Sequence, residues 1–133
     1  MALNRKKLLL LMLCLGGCLA SEQSEIAIVA LIANAGQYDQ HSVSTYGFLK
    51  KNHDVRLFIN REDAFNNNRF HSIKIDGLSD HDLASIEPCI NQYVLVSGTI
   101  NSNQNGLSFE DAVQIKGKSE NIYSKLVCNY NFN

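Results

Sequence analysis

The chain has no tryptophan, one proline (Pro88) and two methionines, Met1 and Met12, both near its start. A site that holds a soft metal through thioethers under an aromatic cap therefore lacks its ligands in the rest of the chain. Neither C-x-x-C nor H-x-H occurs, and His41, His53, His71 and His81 are spread along the sequence. Zinc ligation by neighbouring residues has no spacing to use, and solvated loop histidines are the simpler reading. G-x-S-x-G, the P-loop and H-E-x-x-H are all missing. That removes the nucleophile elbow, the glycine-rich phosphate cradle and the metalloprotease helix. Nothing fixes the separation of Asp39, Glu62, Asp63 and Asp76, so an acid/base pair is not indicated and solvated turn acids are expected. No enzyme activity and no cofactor are implied. An excess of one charge is missing too, with 12 Lys and Arg against 13 Asp and Glu.

No apolar run approaches the ~20 residues of a membrane-spanning helix. Residues 8 to 15 are apolar without a break, preceded by Arg5, Lys6 and Lys7 and followed by Gly16 and Gly17. A basic start, a short apolar stretch and small residues at its end are the parts of a secretory signal. Leu15-Gly16-Gly17-Cys18 also resembles the lipobox of bacterial lipoproteins. The resemblance implies that the Cys18 thiol receives a diacylglyceryl group and that cleavage leaves Cys18 first in the mature chain. Each buried methylene of such an anchor contributes ~0.8 kcal/mol, and stable anchoring takes more than one acyl chain. A competing reading stays open, in which Cys18-Leu19-Ala20 is an ordinary small-x-small cleavage site that releases a soluble chain from Ser21.

The expected organisation is a signal over residues 1–17, a tether over 18–25 and one domain over 26–133. Leu19 stands where the lipoprotein sorting pattern places aspartate for inner-membrane retention. By that resemblance the outer membrane is the expected location, with a periplasmic or secreted protein as the alternative. Losing the three signal cations takes the formal charge from -1 to -4. A mildly acidic domain is poorly suited to phosphate backbones, so no nucleic-acid partner is expected. The membrane, through the lipid, and an envelope protein are the expected partners.

Of the four cysteines, Cys14 leaves with the signal and Cys18 is taken by lipid. Cys89 and Cys128 remain, and an oxidising compartment favours joining them. The enclosed loop of about forty residues would stabilise the fold by about 4 kcal/mol at most in the chain-entropy account. Two separate buried thiols are the alternative.

Along the mature chain, Ile28, Val29, Leu31 and Ile32 fall on one helical face, with Ser24 as a possible cap and a strand as the other reading. From Val43 the residues are β-branched and aromatic, and Gly47 inside that run suggests a bulge or bend. A polar turn over 50–54 leads into Val55, Leu57 and Ile59, completing a hairpin. The segment 66–68 reads as loop and 70–76 as a strand. Ser79 with Asp82 forms a weak capping box ahead of Leu83 and Ile86, and Pro88 stops that helix. Residues 93–100 are apolar on both faces, as in a central strand. A hairpin loop over 101–106, a strand through Phe109, Ala112, Val113 and Ile115, and a last strand within 122–130 complete the pattern. Five to six strands with an N-terminal helix and a short helix inserted between the third and fourth strands predict a mainly β, OB-like Greek-key barrel, with a split β-sandwich as the alternative.

Leu31-Ile32-Ala33-Asn34, Tyr38-Asp39, Val43 and Gly47-Phe48-Leu49 resemble a pattern in small bacterial OB-fold proteins of uncharacterised function. The likeness continues through Leu57-Phe58-Ile59, Glu62-Asp63 and Tyr93-Val94-Leu95-Val96-Ser97-Gly98-Thr99, and spans residues 28 to about 115. Ala35 and Gln40 replace the proline and glycine usual there. The resemblance implies the fold and carries no catalytic or binding residue. On an OB barrel, aromatic rings such as Tyr46, Phe48 and Phe58, with Phe70 and Tyr93, are candidates for stacking a ligand, although rings of this kind more often fill a small core. The expected function is that of a non-catalytic envelope lipoprotein acting as an interaction or scaffold module. The alternative is a soluble periplasmic protein that binds a glycan or peptide across the barrel face.

Overall fold

Alternation of apolar and polar residues from Val43 onward resolves into one continuous ladder in the computed structural model, which describes residues 23–117 and 128–132. The expected signal, Cys18 and residues 122–127 of the expected last strand lie outside the described residues. β1 (Ser24–Glu25) runs parallel to β2 (Ser42–Lys51), which turns back into β3 (Val55–Phe58). β4 (Ser72–Ile75) lies antiparallel to β3, and β5 (Gln92–Asn103) forms a long hairpin with β6 (Gly106–Gly117). β6 pairs parallel with β4, and β5 pairs antiparallel with β2, so the order β2-β3-β4-β6-β5 closes on itself. This is the OB-like barrel, and the closure sets aside the split sandwich. β7 (Asn129–Asn131) adds to the outer edge of β6.

Inward-facing Val43, Leu49, Leu57, Ile73, Val94, Val96, Ile100, Phe109 and Ile115 are buried and form the core with Ile28 and Leu31 from α1 (Ile28–Ala33). Each such side chain contributes about 1.5–3 kcal/mol on burial. Ser24 does not cap α1, because it belongs to β1 and the cap position is Ala27, which has no side-chain hydrogen bond to offer. Ser24 and Glu25, expected to close the tether, thus hydrogen-bond into the sheet, and Ile26 N–H donates to the Ser44 carbonyl at 2.9 Å. The second cap forms as expected. Asp82 N–H donates to Ser79 Oγ at 3.1 Å and Ser79 N–H to Asp82 Oδ2 at 2.9 Å at the start of α3 (Asp80–Ser85). Pro88 then sits in a 3₁₀ turn, Glu87–Cys89, that ends the helix.

Gly47 carries no bulge, because the β2–β5 register runs unbroken from Ser42 opposite Thr99 to Leu49 opposite Gln92. The glycine is needed for closeness instead. A Cβ there would lie 2.6 Å from Leu57 Cγ and 2.7 Å from the Phe58 carbonyl oxygen. The register shifts fall in the β5–β6 ladder, between Ser97 and Gly98 and between Thr99 and Ile100. At Gly98 a Cβ would meet the Asp111 carbonyl oxygen at 2.6 Å.

The C-terminal residues are held at three points. Cys128 is joined to Cys89 with the Cα atoms 4.8 Å apart, inside the ordinary disulfide range. Gly117 N–H donates to the Cys128 carbonyl at 2.7 Å. Tyr130 O–H donates to Asp82 Oδ1 at 2.8 Å, which ties β7 to the cap of α3. The Ser79 amide, and after it the Tyr130 and Ser79 hydroxyls, hold the Asp82 carboxyl below its ordinary value.

Three outcomes are expected. Gly47→Ala should destabilise the barrel by about 1–3 kcal/mol, seen as a lower urea midpoint at unchanged slope, because neither Leu57 nor the β3 backbone can withdraw. Reduction of the disulfide should lower the melting temperature and speed amide exchange at Tyr130, while Val96 in β5 stays protected; equal acceleration at both sites would count against a local fastening. For Asp82 the folded value is depressed, so its contribution is present above the ordinary carboxylate range and is lost as pH falls through the folded value. The urea-unfolding difference between wild type and Tyr130→Phe should therefore be present at neutral pH and shrink on acidification, and a pH-independent difference would contradict the hydrogen bond.

Candidate functional site

The outward face of β3 and β4 is divided by residue chemistry. Leu57 and Ile73 face each other inside the barrel, so their neighbours Arg56 and Lys74, also register partners, face out. Arg56 is held almost rigidly, with its side chain 12% exposed. Its Nη1 donates to Ser72 Oγ at 3.2 Å, and that hydroxyl donates to the Arg69 carbonyl at 2.7 Å. Arg56 Nε lies 3.3 Å from Asp54 Oδ2, near enough for the charges to pair but without hydrogen-bond alignment. Arg69 Nη2 donates to the same carboxylate oxygen at 2.9 Å. Two guanidinium groups thus share one carboxylate oxygen. Lys74 pairs with Asp76 at 2.6 Å. Burial is the largest influence on Arg56 and lowers its pKa; the charge of Arg69 adds to this and Asp54 opposes it. A partly buried cation with too little negative charge around it gains from any further anion.

These side chains floor a cleft of about 590 Å³. The 3₁₀ turn Arg69–His71 brings Arg69 and Phe70 to one side, and the tip of the β5–β6 hairpin, residues 102–107, forms the other. Ile32 and Ala35 contribute from the N-terminal segment. The hairpin is fastened near its tip, where Ser102 N–H donates to Asp39 Oδ1 at 2.8 Å and Gln40 N–H to the Ile100 carbonyl at 2.7 Å. The Phe70 ring is 90% exposed.

The aromatic candidates separate. Phe48 and Phe58, candidates for stacking but more readily read as core, are buried together with Ala64 as a second small core. They face outward and oppose each other across the β2–β3 ladder, and α2 (Arg61–Phe65) covers them. That helix precedes the expected loop over 66–68 and is not among the elements expected from the sequence; its signal is Asn60, whose Oδ1 accepts from Asp63 N–H at 2.8 Å, with Glu62 and Asp63, expected as solvated turn acids, in the first turn. Phe48 also meets Tyr93 edge-on at 5.2 Å. Tyr46 lies on the same outer face and is 37% exposed. The structure does not bring Tyr46, Phe48 and Phe58 together as an open stacking surface.

Three of the four acids weighed for acid/base chemistry are separately engaged, and Glu62 lies in the first turn of α2. Asp39 holds the hairpin, Asp76 pairs with Lys74, and Asp63 Oδ1 accepts from Asn68 Nδ2 at 3.1 Å and lies 3.0 Å from His71 Nδ1. Among the described residues no three His, Cys, Asp or Glu side chains gather in a way that could hold a metal ion. The cleft residues Arg56, Arg69 and Lys74 carry no sequence motif, and only the β3–β4 register and the turn between these strands assemble them. No family model, curated protein or solved structure matches this chain, so the chemistry of the cleft rests on these residues alone.

Proposed function

We propose that the chain is a non-catalytic cell-envelope lipoprotein, held at the membrane by lipid on Cys18, whose barrel is an interaction module that works through the cleft over β3 and β4. The observation that carries this reading is the cleft itself, about 590 Å³ of open space with cations on its floor and a fastened hairpin as one wall. An OB barrel engages its ligands on this strand pair and on the loops beside it. The pairing of Cys89 with Cys128 fits an oxidising compartment. Three of the four acids considered for catalysis, Asp39, Asp63 and Asp76, are engaged in contacts within the fold, which favours binding over chemistry. The cleft also supports the second reading, a soluble periplasmic protein released by cleavage after Ala20 that binds a glycan or peptide across the barrel face.

Cys18→Ala separates them. The anchored protein should lose lipid labelling on this substitution and move from the membrane to the soluble fraction. Wild-type protein that is unlabelled and soluble would favour the released form, and a Cys18→Ala protein that stays labelled would remove Cys18 as the attachment point.

A further inference from the structure

The cleft has more positive charge than its own carboxylate neutralises. Arg56, Arg69 and Lys74 line it with Asp54 as the one lining acid, and Asp76, which pairs with Lys74 from beside the cleft, leaves a single positive charge in excess. Asp54 already shows how the two guanidinium groups take a carboxylate, through one shared oxygen. A guanidinium suits carboxylate and phosphate geometry, and the partial burial of Arg56 strengthens the pull on an added anion. The walls are neutral and polar, with Ser102, Gln104 and Asn105 on the hairpin and the open Phe70 ring opposite.

These features discriminate among anions. A nucleic-acid strand needs a run of cations, and three beside a carboxylate on a domain of negative formal charge do not supply one. An extended peptide is held mainly by an unpaired strand edge, whereas β3 pairs with β2 and β4, and β4 with β3 and β6. Hydroxyl and amide side chains with one exposed ring suit a hydroxyl-rich ligand that offers a C–H face. We propose that the cleft binds an acidic saccharide, with its carboxylate or phosphate among Arg56, Arg69 and Lys74 and a sugar ring against Phe70. The inference rests on the cleft being the working face of the barrel.

The test is amide-resolved NMR titration of the exported mature chain with four probes: tetragalacturonate, neutral maltotetraose, tetraglutamate and inorganic phosphate. Tetragalacturonate should bind with shifts centred on Arg56, Lys74 and residues 102–107, and the other three at least tenfold more weakly. Arg69→Gln and Lys74→Gln change exposed side chains, so the folded spectrum should be kept. Each should weaken binding roughly tenfold, about the loss of one charge-assisted hydrogen bond. Phe70→Ala should weaken tetragalacturonate binding and leave phosphate unaffected. Equal or tighter binding of maltotetraose, tetraglutamate or phosphate in the cleft would overturn the acidic-saccharide inference and leave the cleft as a ligand site. Absence of cleft shifts with every probe would overturn both the inference and the choice of this face.

Discussion

β2 has to hydrogen-bond in two directions along ten residues. Residues from Ser42 to Leu49 pair with β5, and those from Phe48 to Lys51 pair with β3, so at Phe48 and Leu49 both edges are in use. The strand coils from one partner to the other at that point, and Gly47 sits immediately before it with no side chain to hold β3 away. Closure removes the open edges that a small sheet would otherwise expose. It also determines which side of each strand is inside. Once Leu49 and Leu57 oppose each other in the core, Arg56 has no choice but to face out, and Lys74 follows because Leu57 and Ile73 are register partners.

The same parity puts Phe48 and Phe58 outside the barrel, where two large rings would be a liability without cover. α2 supplies that cover, and the barrel gains a small satellite core on its outer surface. The outer face of β3 therefore carries two chemistries two residues apart. Phe58 is sealed under a helix, and Arg56 is open to a cleft and held by Ser72 and Asp54. The satellite core also anchors the chain that leads into Asn68 and Arg69. Asn68 Nδ2 and His71 Nδ1 both reach Asp63 of α2, which fixes the turn that presents Arg69 and Phe70. Packing on one part of the face thus positions charge on the other.

Strand alternation made the barrel legible in the sequence, because a half-buried strand repeats every two residues and a one-residue slip would expose its whole apolar set. The Ser79–Asp82 box and the Cys89–Cys128 pair were legible for local or compositional reasons. What failed to show was whatever depends on cover or on register. α2 is one turn and a half long, too short for a helical period to appear, so its only mark was Asn60 ahead of Glu62 and Asp63. Without that helix, Phe48 and Phe58 read as candidate stacking rings. Gly47 reads in the sequence as a bulge or a bend; the bulged ladder passes through Gly98 instead, and Gly47 marks close packing just where β2 changes partners. Arg56, Arg69 and Lys74 looked like scattered charges, because nothing local to any of them announces that β3 and β4 lie side by side.

Distribution of charge, rather than its total, gives the cleft its character. The domain is mildly acidic, yet several of its carboxylates are placed at work elsewhere, Asp39 beside the hairpin tip and Asp82 at the helix cap. Two carboxylates are spent on the three cleft cations, Asp76 on Lys74 and Asp54 shared between the two guanidinium groups. A shared carboxylate orders both guanidinium groups before any ligand arrives, which lowers the side-chain entropy lost on binding. It also limits affinity, since each arriving anion meets cations already partly neutralised. In the function proposed above that limit is no obstacle. A lipid-anchored module is confined to a thin layer beside its target, where a weak site acts at high effective concentration. Selectivity then matters more than strength, and an incompletely neutralised cation pair beside neutral polar walls provides it by disfavouring uncharged ligands.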